Sequence, residues 1–308
     1  VSKSKIAAPR KRVASATTAS TPVITHPDRV VYADPPLTKQ DVADYYMAVA
    51  EHILPGLVGR PLSVLRCPDG SDGTCFFQKH PGALGDGVKS RRLREKDGSD
   101  DYLYIDDAEG LLQLVQMNVL EFHPWGARID DPEHPECLVF DLDPAPGIAW
   151  SRLIEAAREV RKRLRAQGLQ SFVRLSGGKG VHVVAPIRRG ASWEDAKAFC
   201  DDFAHALAND QPDAFLATAS KAKREGRIFI DWLRNARGAT SVASWSLRAR
   251  AGAAVAMPLR WEDLGATSGP AMFDLAGAKR RAASLRKDPW AGFETLDQAL
   301  PKQRRSGA

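Results

Sequence analysis

The chain of 308 residues is 44% hydrophobic and 27% charged, which suits a globular protein with a core large enough for one large domain or two small ones. It contains no apolar run of roughly 18 residues and no signal-peptide core, so neither a transmembrane helix nor a secretory leader is expected within it. The net charge is +6, but Lys3, Lys5, Arg10, Lys11 and Arg12 lie in the acid-free stretch 1–25 and Lys302, Arg304 and Arg305 in 302–308. Residues 26–301 are therefore slightly acidic, and a polyanion site must be a local cluster rather than a general field.

Residues 1–25, rich in Ser, Thr, Ala, Pro and basic side chains, read as a flexible basic linker, and 302–308 as a tail. The folded part begins near His26 with a β-like run over Arg29–Ala33. A helix is expected over Leu37–Leu54, with Thr38 as N-cap and Asp41 three residues on. Pro55 and Gly56 end it. Strands are expected over Pro61–Cys67 and Thr74–His80, around turn residues Pro68–Gly73. The polar stretch 81–100, with Lys89, Arg91, Arg92, Arg94 and Lys96 beside several acids, reads as a long loop. A helix over Asp107–Gln116 leads into a strand over Asn118–His123. Cys137–Pro144 reads as a buried strand and Ser151–Ala166 as an amphipathic helix stopped at Gly168. Strands at Ser171–Leu175 and Val181–Ile187 flank a glycine-rich loop. A helix capped by Ser192 follows, then a strand over Arg227–Leu233.

A βαββαβ-like order therefore covers roughly 137–232. The fold class expected is α+β. An RRM-like catalytic sheet follows a second N-terminal α/β module, 28–125, and the active site lies between them. Cys67, Cys75, Cys137 and Cys200 form no CxxC pair. Neither a zinc site nor a disulfide framework is expected, and they read as cytosolic thiols.

The chemistry concentrates in a few segments. In Asp141-Leu142-Asp143-Pro144, alternation along a strand puts Asp141 and Asp143 on one face. Two such carboxylates repel unless a cation lies between them, and hard oxygen donors suit Mg²⁺ or Mn²⁺. Strand-end aspartates in a turn are the plain alternative. Asp231 closes a second apolar strand, and if the two strands are neighbours it completes a three-carboxylate cluster able to hold two metals; pairing with a nearby arginine is the competing reading. Ser176-Gly177-Gly178-Lys179-Gly180-Val181-His182 resembles a phosphate cradle between strands, although a glycine-rich hairpin is more often just a turn. His123, in Phe122-His-Pro-Trp-Gly126, sits at a strand end where it could meet a phosphate or ribose. Arg224 and Arg248 are candidate triphosphate clamps, or else solvated surface. Of Phe76 and Phe77, one ring is expected in the core and the other free to stack on a base. Arg29 and Lys39 flank the first helix and could hold a terminal phosphate, though surface charge explains each separately.

Taken together, Leu120–Gly126, Phe140–Pro144, Ser176–His182, Arg227–Asp231 and Ser246–Arg250 occur in the order expected of the archaeo-eukaryotic primase-polymerase superfamily. The chain resembles, over about 26–300, the polymerase domain of bacterial ligase D, the multifunctional ATP-dependent DNA ligase of non-homologous end joining. The resemblance implies that Asp141, Asp143 and Asp231 are the metal-binding catalytic triad, holding two ions of Mn²⁺ or Mg²⁺, with Mn²⁺ preferred. It implies nucleotide contacts at His123, Ser176, Lys179, His182, Arg224 and Arg248, with Arg66 near another triphosphate contact, where Leu65 replaces the Lys of some relatives. Phe76 and Phe77 would pack on templating DNA, and Arg29 and Lys39 would hold the 5′-phosphate at a break. The implied function is template-directed nucleotidyl transfer that favours NTPs over dNTPs, filling gaps and extending ends. The implied partners are gapped DNA and DNA ends, Ku, and ligase and nuclease domains of the same chain. The implied location is cytoplasmic, at the bacterial nucleoid, with no membrane. A metal-dependent nuclease, a DxD glycosyltransferase and a non-catalytic DNA-end-binding module remain as alternatives. A nuclease has no need of the triphosphate cradle, and an end-binding module has no use for clustered carboxylates facing DNA.

Overall fold

The computed structural model describes residues 22–220 and 223–301; the linker and tail read above fall largely outside these. The chain starts with a short pair, β1 (Val30–Tyr32) and β2 (Leu37–Thr38), leading into α1 (Lys39–Ala48). Thr38 caps α1 reciprocally. Its hydroxyl accepts from Asp41 N, and the Asp41 carboxylate accepts from Thr38 N, which satisfies two donors the first turn cannot. The helix expected through Leu54 breaks at Val49, and a single further turn, α2 (Ala50–Ile53), continues it. Next come β3 (Leu62–Arg66), β4 (Phe76–Gln78), the hairpin β5 (Lys89–Glu95) and β6 (Gly98–Tyr104), α3 (Ala108–Gln116) and β7 (Val119–Pro124). Strands β4, β3 and β7 form an antiparallel sheet in that order.

The second module is built from β8 (Cys137–Pro144), α4 (Trp150–Ala166), β9 (Phe172–Leu175), β10 (Val181–Pro186), α5 (Trp193–Asp210), β11 (Phe215–Leu216), β12 (Ile228–Asp231), β13 (Pro258–Leu259) and α6 (Leu275–Ser284). The sheet order is β11-β12-β8-β10-β9-β13. Its four central strands, in chain order β8, β9, β10 and β12, are arranged 4-1-3-2, as the βαββαβ pattern requires when both helices cover one face. Leu153, Ala157, Val160 and Leu164 of α4 and Phe199, Phe203 and Leu207 of α5 are buried in one continuous core. Leu138, Phe140 and Leu142 of β8 join that core, so Asp141 and Asp143 must emerge on the opposite face.

Three expectations need correction. The stretch 81–100 is not a loop in its second half: it forms most of the β5–β6 hairpin, turned at Lys96 and Asp97. Its strand period was hidden because nearly every side chain of β5 is exposed, leaving Leu93 as anchor. Leu93 packs with Tyr102, Trp125 and Ile129 in a small cluster separate from the main core. Cys67 and Cys75 are not thiols but form a disulfide, with Cα atoms 4.3 Å apart. The turn between β3 and β4 folds back and places them side by side, which spacing alone does not reveal. Cys137 and Cys200 are free. Finally, neither Phe76 nor Phe77 is core: they are 44% and 59% exposed, because β4 is an edge strand with both faces open at that point.

Residues 240–257 stitch the two modules together. Ala243 N donates to Phe122 O (2.8 Å), and Phe122 N donates to Ser246 Oγ (3.0 Å). From α1, Tyr45 Oη donates to Trp245 O (2.8 Å). Tyr46 Oη donates to Leu120 O (2.6 Å) and accepts from Leu247 N (3.0 Å). Tyr46→Phe would leave both of those backbone groups buried without a partner. A loss of about 1–3 kcal/mol in urea unfolding is expected, since an unmade buried hydrogen bond costs its full desolvation.

Candidate active site

Strand register sets the site. Asp231 of β12 lies opposite Asp141 of β8, Asp141 opposite His182 of β10, and His182 opposite Arg174 of β9. Directly paired residues share a face, so these four side chains form one row across four strands. Asp143, two residues along β8, adds a third carboxylate to that face. Asp141 and His182, at the middle of the row, floor with Asp143 a cleft of about 260 Å³ lined also by His123, Ser176, Lys179, Arg234, Arg248 and Arg250, among others. A cavity of about 510 Å³ lies elsewhere, and one of about 430 Å³ adjoins the cleft through Arg174, Arg234 and Ser241, but neither touches a carboxylate of the row.

The electrostatics follow from crowding. Asp141 is pushed up to about 7, first by burial and then by the charges of Asp231 and Asp143, against the opposing pull of Arg234. Arg234 Nε lies 3.0 Å from Asp231 Oδ2 and 4.0 Å from Asp141 Oδ2. Arg224 Nη1 lies 2.6 Å from Asp143 Oδ2, with its guanidinium over the Phe229 ring. Two arginines thus supply part of the positive charge the three carboxylates need. Among the described residues, no three His, Cys, Asp or Glu side chains converge on a point suited to an ion in this conformation. The donors fit a divalent cation all the same, being hard oxygens on one face whose mutual repulsion calls for charge between them.

His182 Nδ1 accepts from Arg174 Nε (3.1 Å), so the proton of the neutral ring sits on Nε2, 3.4 Å from Asp141 Oδ1. Burial, followed by the charge of Arg174, holds His182 well below its ordinary value and keeps that ring neutral. Arg174 itself is lowered to about 10 by burial.

The glycine-rich loop differs in detail from a phosphate nest. Gly178 N and Gly180 N both donate to Ser176 Oγ (3.1 and 3.0 Å), and Gly177 N donates to Pro270 O (3.0 Å). These N–H groups close the loop instead of converging on a ligand. What the loop offers the cleft is the remaining O–H of Ser176 and the exposed ammonium of Lys179.

His123 Nε2 and Arg248 Nε both meet one carboxylate oxygen of Glu121, at 2.9 Å each. Arg248 Nη1 also donates to Ser176 O (2.7 Å). Of the other expected contacts, Arg66 does not line the cleft. Its Nε donates to Met117 O (3.0 Å), its Nη1 to Gln78 Oε1 (2.9 Å), and its guanidinium lies over Phe76. Phe77 meets His123 edge-on, with ring centroids 5.2 Å apart. Arg29 and Lys39 are brought together: Lys39 N donates to Arg29 O (2.8 Å), and Lys39 is lowered first by burial and then by the Arg29 charge. Arg29 also contacts Pro68 O and, at 3.4 Å, Asp69. Sequence reasoning did not single out Glu121, Arg174, Arg234 or Arg250. Glu121 and Arg174 each stand two residues from a chosen residue or opposite one, a strand-period signal that was available. Arg234 lies in a 3-10 turn after its motif and Arg250 closes the Ser246–Arg250 segment in irregular chain, so neither carries a strand-period signal.

Residues 38–290 match the family described as LigD, primase-polymerase domain. The chain is 37% identical over 295 residues to the multifunctional non-homologous end joining protein LigD of Pseudomonas aeruginosa, covering 94% of this chain and 35% of that protein. It is 33% identical to the LigD of Mycolicibacterium smegmatis (78% of this chain, 32% of that protein) and 30% identical to the bifunctional LigD of Bacillus subtilis (80% and 40%). The chain thus spans about a third of the length of the first two. The polymerase domain of Mycobacterium tuberculosis ligase D, solved in complex with DNA, superposes with a TM-score of 0.78 at 32% identity, covering 85% of this chain and 94% of that one.

Loop closure against β8 gives a direct test. A Cβ on Gly180 would lie 2.3 Å from Leu142 O, whereas one on Gly178 would meet nothing closer than 3.3 Å, the movable end of Arg250. Gly180→Ala should therefore lower the melting temperature by several degrees, on the scale of a 1–3 kcal/mol overpacking penalty, while Gly178→Ala should shift it little. By sequence and by structure, the chain belongs to the LigD primase-polymerase domain family.

Proposed function

We propose that this chain is a template-directed nucleotidyltransferase that adds nucleotides, ribonucleotides preferentially, to a primer 3′-end at DNA gaps and breaks. The observation that carries the reading is the cross-strand row of Asp231, Asp141, His182 and Arg174, whose middle members Asp141 and His182 share one cleft with Asp143, Lys179, Arg248 and Arg250. Acids on the floor suit cations and a nucleophile, and bases on the rim suit a polyphosphate.

Asp141, Asp143 and Asp231 would hold the divalent ions, Mn²⁺ by preference. Such ions, when bound, favour ionisation of the attacking hydroxyl and neutralise charge on the transferred phosphoryl group. Lys179, Arg248 and Arg250 would bind the triphosphate, and the Ser176 hydroxyl would donate to it. Arg224, resting on Asp143, is within reach of the same group. His182, fixed by Arg174 with its Nε2 proton toward Asp141, orients that carboxylate. In the reaction the primer 3′-oxygen forms a bond to the α-phosphorus, the bond from α-phosphorus to the bridging oxygen breaks, and pyrophosphate leaves carrying the charge these cations stabilise.

Exposed Phe76 and Phe77 would stack on the template, and the Arg29–Lys39 pair would hold a 5′-phosphate. Ku, and ligase and nuclease domains of the same polypeptide, are the partners this reading implies for work at chromosome breaks inside a bacterial cell.

Asp141→Asn should abolish primer extension on a 5′-phosphorylated gap with Mn²⁺ and NTPs. Without divalent ions, the same variant should melt at or above the wild-type temperature near pH 8. The sign follows from linkage: a carboxyl whose folded value is about 7 destabilises the fold as pH rises above its ordinary 3.8, and an amide carries no such charge. Added Mn²⁺ should raise the melting temperature of the wild type and not of the variant. Shortened primer instead of extended primer would point to a nuclease. Arg29→Ala should reduce the preference for a 5′-phosphate over a 5′-hydroxyl gap by roughly tenfold in DNA-binding titrations, the loss of one charge-assisted contact.

A further inference from the structure

Glu121 is a fully buried acid in a place where burial has to be explained. It lies on β7, one residue before Phe122, and is 3% exposed. An ionised carboxylate taken out of water is tolerated only where partners replace its hydration. Three do so. Oε2 accepts from His123 Nε2 and from Arg248 Nε, both at 2.9 Å, and Oε1 accepts from Ala249 N at 2.7 Å. Burial alone would raise its pKa, but the His123 hydrogen bond and the Arg248 charge outweigh that and lower it, so the group stays charged.

Two of those partners line the cleft, whereas Glu121 does not. Its hold on His123 uses up Nε2 and leaves Nδ1 as the ring atom available to a ligand. Its hold on Arg248 fixes Nε, while Nη1 of the same guanidinium reaches Ser176 O at 2.7 Å. One carboxylate therefore joins a strand of the N-terminal module to the first residue of the glycine-rich loop in the catalytic module. It also bears on Phe77, which rests edge-on against His123.

We propose that Glu121 is a positioning residue of the nucleotide site, holding His123 and Arg248 in the arrangement that grips the incoming nucleoside triphosphate. This rests on reading the cleft as a nucleotide site. The competing account is a buried ion pair that merely holds two modules together. That account predicts lost stability with the grip unchanged in whatever protein remains folded.

The experiment uses the whole chain with Glu121→Gln, which keeps the shape and removes the charge, and Glu121→Asp, which keeps the charge and shortens its reach. Equilibrium binding of an NTP and steady-state incorporation at a gap are both measured. Glu121→Gln should raise the NTP Kd and KM about tenfold, within the range seen when groups that orient ligand-binding side chains are removed, with kcat and gapped-DNA affinity changed much less. Glu121→Asp should recover part of the loss. Glu121→Gln combined with Arg248→Ala should cost less than the sum of the two single losses, because part of the Glu121 effect runs through Arg248 and only the part through His123 remains. Unchanged NTP affinity in folded Glu121→Gln, or fully additive losses in the double variant, would overturn the proposal. If Glu121→Gln does not fold, Glu121→Asp decides, and wild-type NTP affinity there overturns it likewise. A wild type that binds NTP but never extends a primer would defeat the polymerase reading, and the binding series would still decide the role of Glu121.

Discussion

The site is organised by a repulsion. Strand register forces Asp141 and Asp231 into direct opposition, and the strand period adds Asp143 to the same face. No local choice of rotamer can separate three carboxylates anchored this way, so each needs a compensating charge from another part of the chain. Arg234 comes from the segment after β12 and Arg224 from the segment before it, while the neutral His182 of the adjacent strand turns its Nε2 proton toward Asp141 without adding charge. Asp141 stays raised even so, first by burial and then by the charges of Asp231 and Asp143, against the pull of Arg234. A site left short of positive charge has a free-energy reason to take up cations. The arginines now beside the acids are long, exposed or half-buried side chains that can turn to another anion once that charge is supplied.

That floor becomes a cleft only because a second wall stands over it. The wall is β7 with the strip 240–257, and its hydrogen bonds run to both modules: Tyr45 and Tyr46 from α1, Phe122 from β7, and the Leu175–Met257 pair beside β9. The tyrosine hydroxyls are buried, so each bond replaces hydration that would otherwise be lost, which makes the seam directional as well as cohesive. Arg237 repeats the principle at the far edge, reaching Glu133 and Glu95 while lying over Trp125, and so fixes the turn end of the otherwise polar β5–β6 hairpin.

What could be read from the sequence was whatever depends on near neighbours. The capping pairs Thr38–Asp41 and Ser192–Asp195 obey a three-residue rule, and both are present. The βαββαβ run could be read because period and length distinguish its elements. Asp141 and Asp143 on one face follow from a strand's alternation alone. The pairing of Asp231 with Asp141 needed strand order, which the resemblance supplied and no local pattern does. The Cys67–Cys75 bond, the exposure of both Phe76 and Phe77, and the withdrawal of Arg66 to Met117 and Gln78 depend on where the β4 edge lies. The β5–β6 hairpin escaped because a strand solvated on both faces has no hydrophobic period to detect.

The charges of the cleft are arranged in layers, and on the proposed reading this ordering would let one fold serve two oppositely charged clients. Carboxylates lie on the sheet floor, where the backbone fixes them to within a strand spacing and an ion can demand exact placement. Lys179, Arg248 and Arg250 lie on loops and irregular chain at the rim, where a polyphosphate needs charge more than rigidity. Glu121 is the exception, an anion set behind the cationic rim. Without it, the mutual repulsion of Arg248 and Arg250, which lowers Arg250 after burial has done so, would act unopposed and turn the two guanidiniums apart. An acid hidden behind a basic wall therefore does for the rim what the arginines do for the floor. It lets like charges stand close enough together to act on a single ligand.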